Sequence, residues 1–205
     1  GAAQVVCVLV GRGNGTFRAR ADFGTGDSPQ SVAIGDVSGD GKPDLVTANY
    51  TPSNVSVLLG NGNGTFQAKV DYGTGVNPIS VAIGDVSGDG KPDLVATNIV
   101  ASTASVLLGN GNGTFQTKVD YATGGTPQSV AIGDVNGDAK PDLVTANYGA
   151  VSVGPGTVSV LLGNGDGTFQ SKVDYGSGYR PQSVAIGDVS GDGKPDIVTA
   201  NRTGA

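Results

Sequence analysis

The nine-residue segment Asp36-Val37-Ser38-Gly39-Asp40-Gly41-Lys42-Pro43-Asp44 returns, with small changes, from Asp85, Asp134 and Asp188. The spacings are 49, 49 and 54 residues. A second marker, Gly60-Asn61-Gly62-Asn63-Gly64-Thr65-Phe66, returns from Gly109 and Gly163, with a variant from Gly11, at the same spacings. A chain built this way must fold as a series of like units, each of which buries its apolar face on its neighbours. The five extra residues of the longest spacing fall in Tyr148–Gly156, where they lengthen a loop and leave the elements intact.

Each unit reads as four short strands. In the unit that begins near residue 31, Ser31–Gly35 alternates small and β-branched residues, Leu45–Ala48 follows the Asp-rich loop, and Val55–Leu59 runs into a Gly/Asn turn. The last strand is expected over Phe66–Tyr72, where strict apolar/polar alternation marks burial on one face only. Four strands in a repeat of roughly 40–50 residues predict the blade of a β-propeller. A β-solenoid is the alternative, although its rungs are usually shorter. The fold expected is therefore all-β, a single domain of four four-stranded blades over residues 1–205. Complete blades are placed at 28–76, 77–125 and 126–179, with half-blades at 1–27 and 180–205. Pairing the two half-blades would complete the fourth blade and remove sheet edges that invite aggregation.

Composition supports this and closes off other classes. Gly (36) and Pro (10) are too frequent in 205 residues for a helical bundle. With no His and one Cys, neither a Ser-His-Asp triad, nor a Cys-His pair, nor a Cys/His zinc site can be assembled. No enzyme is expected. A net charge of −6 argues against nucleic acid as a partner. No run of ~18 apolar residues is present, so membrane insertion is not expected. Gly1-Ala2-Ala3-Gln4 shows none of the basic and apolar regions of a signal peptide. The single Cys7, within Val5-Val6-Cys7-Val8-Leu9-Val10, is expected to be buried and unreactive.

The Asp loops carry the chemistry. Asp36, Ser38, Asp40, the Lys42 carbonyl and Asp44 stand at positions 1, 3, 5, 7 and 9, with Gly41 at position 6 for a sharp turn. Alternate oxygen donors in a tight loop suit a hard cation with six to eight oxygen ligands, Ca²⁺ before Mg²⁺. The equivalents are Asp85, Ser87, Asp89, Lys91 and Asp93; Asp134, Asn136, Asp138, Lys140 and Asp142; and Asp188, Ser190, Asp192, Lys194 and Asp196. The spacing matches the first nine positions of an EF-hand loop, but the bidentate Glu is missing and the flanks are β-like. The alternative is an Asp/Gly hairpin turn in which Asp only caps backbone groups. Four copies that keep all twelve Asp positions, out of 18 acidic residues, favour the cation. About four Ca²⁺ are expected, each held with an affinity on the order of 0.1–1 mM, as in extracellular modules. The third loop carries Ala139 at position 6, which predicts the most strained turn.

At these residues the chain resembles the FG-GAP/VCBS repeat family of integrin-α-like propellers. The Asp36–Asp44 loop and its copies, the Tyr72-Gly73 pair and the Gly75…Pro78…Ser80-Val81-Ala82 stretch carry the resemblance. It implies calcium ligands at the loop positions named above and a secreted or cell-surface setting. The Gly60–Phe66 marker is a hairpin signal; its spacing is not that of a phosphate loop. Phe66, Phe115 and Phe169, with Tyr72, Tyr121 and Tyr175, are expected to pack in the core. Tyr50, Tyr148, Tyr179 and Arg180 break the repeat and are candidates for a ligand surface on the side opposite the Asp loops. Asn14, Asn49, Asn54, Asn63, Asn112 and Asn201 each begin a glycosylation sequon. Two functional readings follow. One is an extracellular calcium-binding module for adhesion or for a protein or glycan ligand. The other is a structural subunit that self-associates into a fibre or larger propeller by half-blade exchange.

Overall fold

A computed structural model describes residues 4–149 and 155–202. It contains sixteen strands: β1 (Val5–Val8), β2 (Ala21–Gly24), β3 (Asp27–Gly35), β4 (Asp44–Thr51), β5 (Asn54–Leu58), β6 (Val70–Gly73), β7 (Pro78–Gly84), β8 (Asp93–Asn98), β9 (Thr103–Leu107), β10 (Val119–Ala122), β11 (Pro127–Gly133), β12 (Asp142–Asn147), β13 (Thr157–Leu161), β14 (Val173–Gly176), β15 (Pro181–Gly187) and β16 (Asp196–Asn201). They form three four-stranded sheets, β3–β6, β7–β10 and β11–β14, in which each strand pairs with the next in sequence. All pairings are antiparallel. The protein is thus all-β, with one sheet per repeat. The long insertion in the third repeat lies partly outside the described residues.

The strands differ in burial as their patterns demand. Strands two and three of each sheet, such as β4 and β5, are buried on both faces over most of their length, their polar Asp44, Asn49 and Asn54 included. Strand four is mostly exposed. It is also shorter than its alternation suggested. Phe66 makes only an isolated bridge to Gly60, and the ladder with β5 begins at Val70. The physical reason is that the Gly/Asn loop closes on itself through this bridge, which frees the Phe66 ring to turn toward the preceding repeat. Strand one carries a register shift after its proline in every copy, at Pro29/Ser31, Pro78/Ser80, Pro127/Ser129 and Pro181/Ser183. Proline lacks the N–H that a regular ladder needs, so the irregularity falls there.

Neighbouring sheets meet through their first strands, β3 against β7, β7 against β11 and β11 against β15. Apolar side chains interlock between them: Val46 and Val55 of one sheet share a cluster with Leu94, Leu107 and Phe115 of the next. An aromatic pair also spans three of the joints between consecutive repeats edge-to-face. Phe23–Phe66, Tyr72–Phe115 and Tyr121–Phe169 have ring centroids 5.1, 5.3 and 5.2 Å apart. Each such pair contributes about 0.5–1.5 kcal/mol beyond its buried area. Phe115 and Phe169 are core residues as expected, but Tyr175 is exposed.

A polar chain runs through each sheet. The Asn49 amide donates to Ser56 Oγ (2.8 Å), the Ser56 hydroxyl donates to Asp71 Oδ1 (2.6 Å), and the Gly26 amide of the preceding repeat donates to Ser56 Oγ (3.0 Å). The Lys69 ammonium pairs with the other oxygen of Asp71. The same chain recurs at Asn98/Ser105/Asp120 and Asn147/Ser159/Asp174. Asn49 and Asn54 are buried in it, which removes both from the sequons that a glycan could reach in the folded protein.

At the ends, the halves β1–β2 and β15–β16 form two-stranded sheets, and no pairing between them is seen among the described residues. One expectation fails here. Cys7 is exposed, not buried. It occupies the place of the fully buried Ser56, Ser105 and Ser159, but β1 lacks the second-strand neighbour that covers them.

The middle sheet breaks one rule of its neighbours. Thr47 and Thr145 donate to Asn49 Oδ1 and Asn147 Oδ1 (3.1 and 2.9 Å). In β8 the order Thr-Ala is reversed to Ala96-Thr97, which turns the hydroxyl to the opposite face; Thr97 Oγ1 and Asn98 Oδ1 are left buried without partners. An unmade buried hydrogen bond costs about 1–3 kcal/mol. The double substitution Ala96→Thr/Thr97→Ala should raise the unfolding free energy by about 1–2 kcal/mol in urea denaturation.

Candidate cation loops

Each Asp loop joins the first strand of a sheet to the second, so the four loops stand at the same end of their sheets. Their three carboxylates have different tasks. The position-1 carboxylate gathers the turn: Asp36 Oδ1 accepts the Gly39 and Asp40 amides (2.8 and 3.2 Å) and Oδ2 accepts the Gly41 amide (2.7 Å). Asp85, Asp134 and Asp188 do likewise. The amide bonds, led by Gly41, hold Asp36 below the usual carboxylate range. Asp188 is lowered in the same way by Gly193 and Gly191. At Asp134 desolvation opposes ionisation, but four amides, led by Ala139 and Gly137, outweigh it.

The position-9 carboxylate is buried and turned onto backbone. Asp44 Oδ2 accepts the Val37 and Ser38 amides (2.9 and 3.1 Å), and Oδ1 accepts the Gly60 amide (2.7 Å). Asp93 repeats all three bonds, and Asp142 reaches Val135 and Gly163. At Asp93 desolvation by burial dominates and raises the pKa despite these donors. Gly60 is required beside Asp44, because a Cβ there would lie 2.0 Å from the Pro43 carbonyl oxygen. The position-5 carboxylate faces a lysine: the Lys42 ammonium donates to Asp40 Oδ2 at 2.8 Å and the Lys42 amide to Oδ1 at 3.0 Å. Lys91 and Asp89 repeat this at 3.0 and 2.9 Å, and the lysine side-chain bond is the leading cause that lowers Asp40 and Asp89.

The structure therefore brings Asp36, Ser38 and Asp40 together, with Ser38 Oγ donating to Asp36 Oδ1 at 3.3 Å. It sets Asp44 apart as a backbone anchor. Among the described residues no three acidic side chains converge as a preformed metal cluster. The donor set is nonetheless all oxygen at the exposed positions, the chemistry a hard cation requires. Sequence reasoning missed the roles of the lysine side chain and of the Asp44–Gly60 bond. Both had a signal, since Lys42 and Gly60 each recur in register with the loop.

The third loop departs from the rest. Ala139 sits at φ +63°, where the other loops place Gly41, Gly90 and Gly193 at about +80°. Asn136 Oδ1 accepts the Asp138 amide (3.0 Å). The Thr168 hydroxyl and amide, with Lys140 nearby, lower Asp166, which stands where the other markers have Asn63 and Asn112. At the opposite end of the sheets, the Arg180 guanidinium lies 5.0 Å from the Tyr148 ring centroid and 4.8 Å from that of Tyr179.

Ala139→Gly should stabilise the fold by about 1 kcal/mol in chemical denaturation, because it relieves the left-handed alanine. In metal-free solution, lowered carboxylates at Asp36, Asp134 and Asp188 stabilise the fold fully above their unfolded pKa of 3.8 and progressively less as pH falls through their folded values. Asp93, raised, works in the opposite direction. The melting temperature should fall steadily below about pH 4, and Asp36→Asn should flatten that slope.

No curated protein sequence matches the chain. Among solved structures, it is similar to a protein of unknown function from Desulfotomaculum acetoxidans, at 13% identity and a TM-score of 0.60, over 85% of this chain and 53% of that one. It is also similar to the Vibrio cholerae biofilm matrix protein Bap1, at 16% identity and a TM-score of 0.42, over 90% of this chain and 41% of that one. The chain thus spans about half the length, or less, of these relatives in structure. The FG-GAP-like repeat profile matches residues 3–47, 36–96, 87–145 and 150–199. With the repeat matched four times and almost end to end, the chain belongs to the FG-GAP-like repeat family.

Proposed function

We propose that the protein is a secreted or cell-surface calcium-binding module with propeller architecture, whose loops present a ligand surface for a protein or glycan. The single observation that carries this is the fourfold recurrence of an exposed, ionised, all-oxygen loop on one end of consecutive sheets. Asp36, Ser38, Asp40 and the Lys42 carbonyl would hold one ion, with Asp44 anchoring the loop behind them, and the corresponding residues of the other loops would hold the rest. Calcium would supply charge neutralisation: four ions would move the formal charge from −6 to +2. The lysine ammonium on Asp40 acts as a stand-in cation that Ca²⁺ must displace, which supports a modest affinity.

The ligand surface is assigned to the other end, where Tyr148, Tyr179 and Arg180 form an aromatic and cationic cluster. Two tyrosine rings and a guanidinium suit sugar faces or acidic peptide segments.

At ~1 mM calcium and a dissociation constant of ~0.1 mM, each site adds about 1.4 kcal/mol. Four sites should then raise the melting temperature by about 10–20 °C over the protein in EDTA. Isothermal titration with CaCl₂ should count about four sites, and Asp40→Asn should remove one. A melting curve identical in EDTA and in calcium would refute the reading.

A further inference from the structure

In each complete sheet the lysine of the Asp loop lies across the marker loop. A Cβ placed on Gly62, Gly111 or Gly165 would come within 3.0, 2.9 or 3.2 Å of Cδ of Lys42, Lys91 or Lys140. The residue after each of these glycines is therefore a neighbour of the lysine stem. It is Asn63 in the first sheet, Asn112 in the second and Asp166 in the third. All three side chains make the same turn. Oδ1 accepts the amide and the hydroxyl of the threonine two residues on, at 3.0 and 2.7 Å for Asn63, 3.1 and 2.6 Å for Asn112, and 2.9 and 2.5 Å for Asp166. What differs is the remaining side-chain atom. In Asn63 and Asn112 it is an amide nitrogen, a donor with nothing to offer an ammonium; in Asp166 it is a carboxylate oxygen.

The lysines respond in step. Lys42 meets Asp40 at 2.8 Å, Lys91 meets Asp89 at 3.0 Å, and Lys194 stands 3.7 Å from Asp192. The third loop is the exception: among the described residues, Lys140 makes no such ion pair with Asp138. Its backbone is not the cause, because the Lys140 amide still donates to Asp138 Oδ1 at 3.0 Å, as the Lys42 and Lys91 amides do to Asp40 and Asp89 at 3.0 and 2.9 Å. Only the side chain has left the loop, and the charge it stands near is that of Asp166.

We propose that Asp166 is a positioning residue that draws the Lys140 ammonium off Asp138, so that the third loop is the first to take up a calcium ion. The inference rests on the calcium-binding reading and deepens it by ranking the loops. In the first two loops an entering cation must displace an ammonium from the position-5 carboxylate. The third offers Asp134, Asn136 and Asp138 without that competitor, and Asn136 presents an amide oxygen where the others present a serine hydroxyl. Release from one exposed ion pair shifts a binding equilibrium by about twofold to fivefold.

The test is a CaCl₂ titration of the full chain in about 0.15 M KCl, where distant exposed charges are screened. It is followed by the amide NMR signals of Gly41, Gly90, Ala139 and Gly193, one for each loop. Ala139 should reach its midpoint at about twofold to fivefold lower calcium than Gly41 and Gly90. Asp166→Asn should weaken the third loop by the same factor, and Asn112→Asp should strengthen the second. In a Lys140→Gln background Asp166→Asn should have no further effect, since Asp166 acts through the lysine and not on the ion. Loops that fill together, or an Asp166→Asn effect that persists without Lys140, would overturn the proposal and leave the calcium reading standing. No calcium-dependent shift in any loop would overturn both.

Discussion

The buried aspartate that ends the Asp loop of each complete sheet, Asp44, Asp93 or Asp142, is the interaction on which the rest depends. A carboxylate taken out of water is costly unless its oxygens are satisfied. Asp44 is satisfied by three amides drawn from two places, the start of its own loop and the glycine that opens the next marker loop. It therefore fixes the loop, the start of the second strand and the end of the third relative to one another. The loop's exposed oxygens sit at a constant place because this anchor holds them there. Charge-assisted bonds of this kind are about twice as strong as neutral ones.

Most of the architecture was legible in the sequence because repetition multiplied weak signals. A single copy of Ser31–Gly35 or Leu45–Ala48 is too short to assign alone; four copies in register leave little choice. The marker loops were legible because Asn-Gly pairs favour positive φ at the glycine, and Gly62 and Gly64 do adopt it. The strained third turn was legible for the same reason, through Ala139. What could not be read were properties that require a neighbour. Cys7 has the sequence surroundings of a core residue, yet its burial depends on a strand that lies far away in sequence. The start of the fourth strand was misjudged because alternation in Phe66–Tyr72 is satisfied equally by a ladder and by a ring turned between sheets.

The candidate site was legible as a set of positions and not as a division of labour. Spacing alone treats Asp36, Asp40 and Asp44 as equivalent donors. Geometry separates them into a turn organiser, a lysine-paired outer group and an inward anchor. The lysine at position 7 enters a spacing argument only through its carbonyl, whereas in the first two loops its ammonium also pairs with the position-5 carboxylate.

The edge-to-face aromatic pairs all run in one direction along the chain: Phe23 reaches forward to Phe66, Tyr72 to Phe115, and Tyr121 to Phe169. During synthesis each earlier ring leaves the ribosome more than forty residues before its mate, since Tyr72 and Phe115 are separated by almost one full repeat. Nascent segments therefore mature one period behind the exit tunnel, and a translational pause is least hazardous just after a phenylalanine has emerged to cap the segment before it.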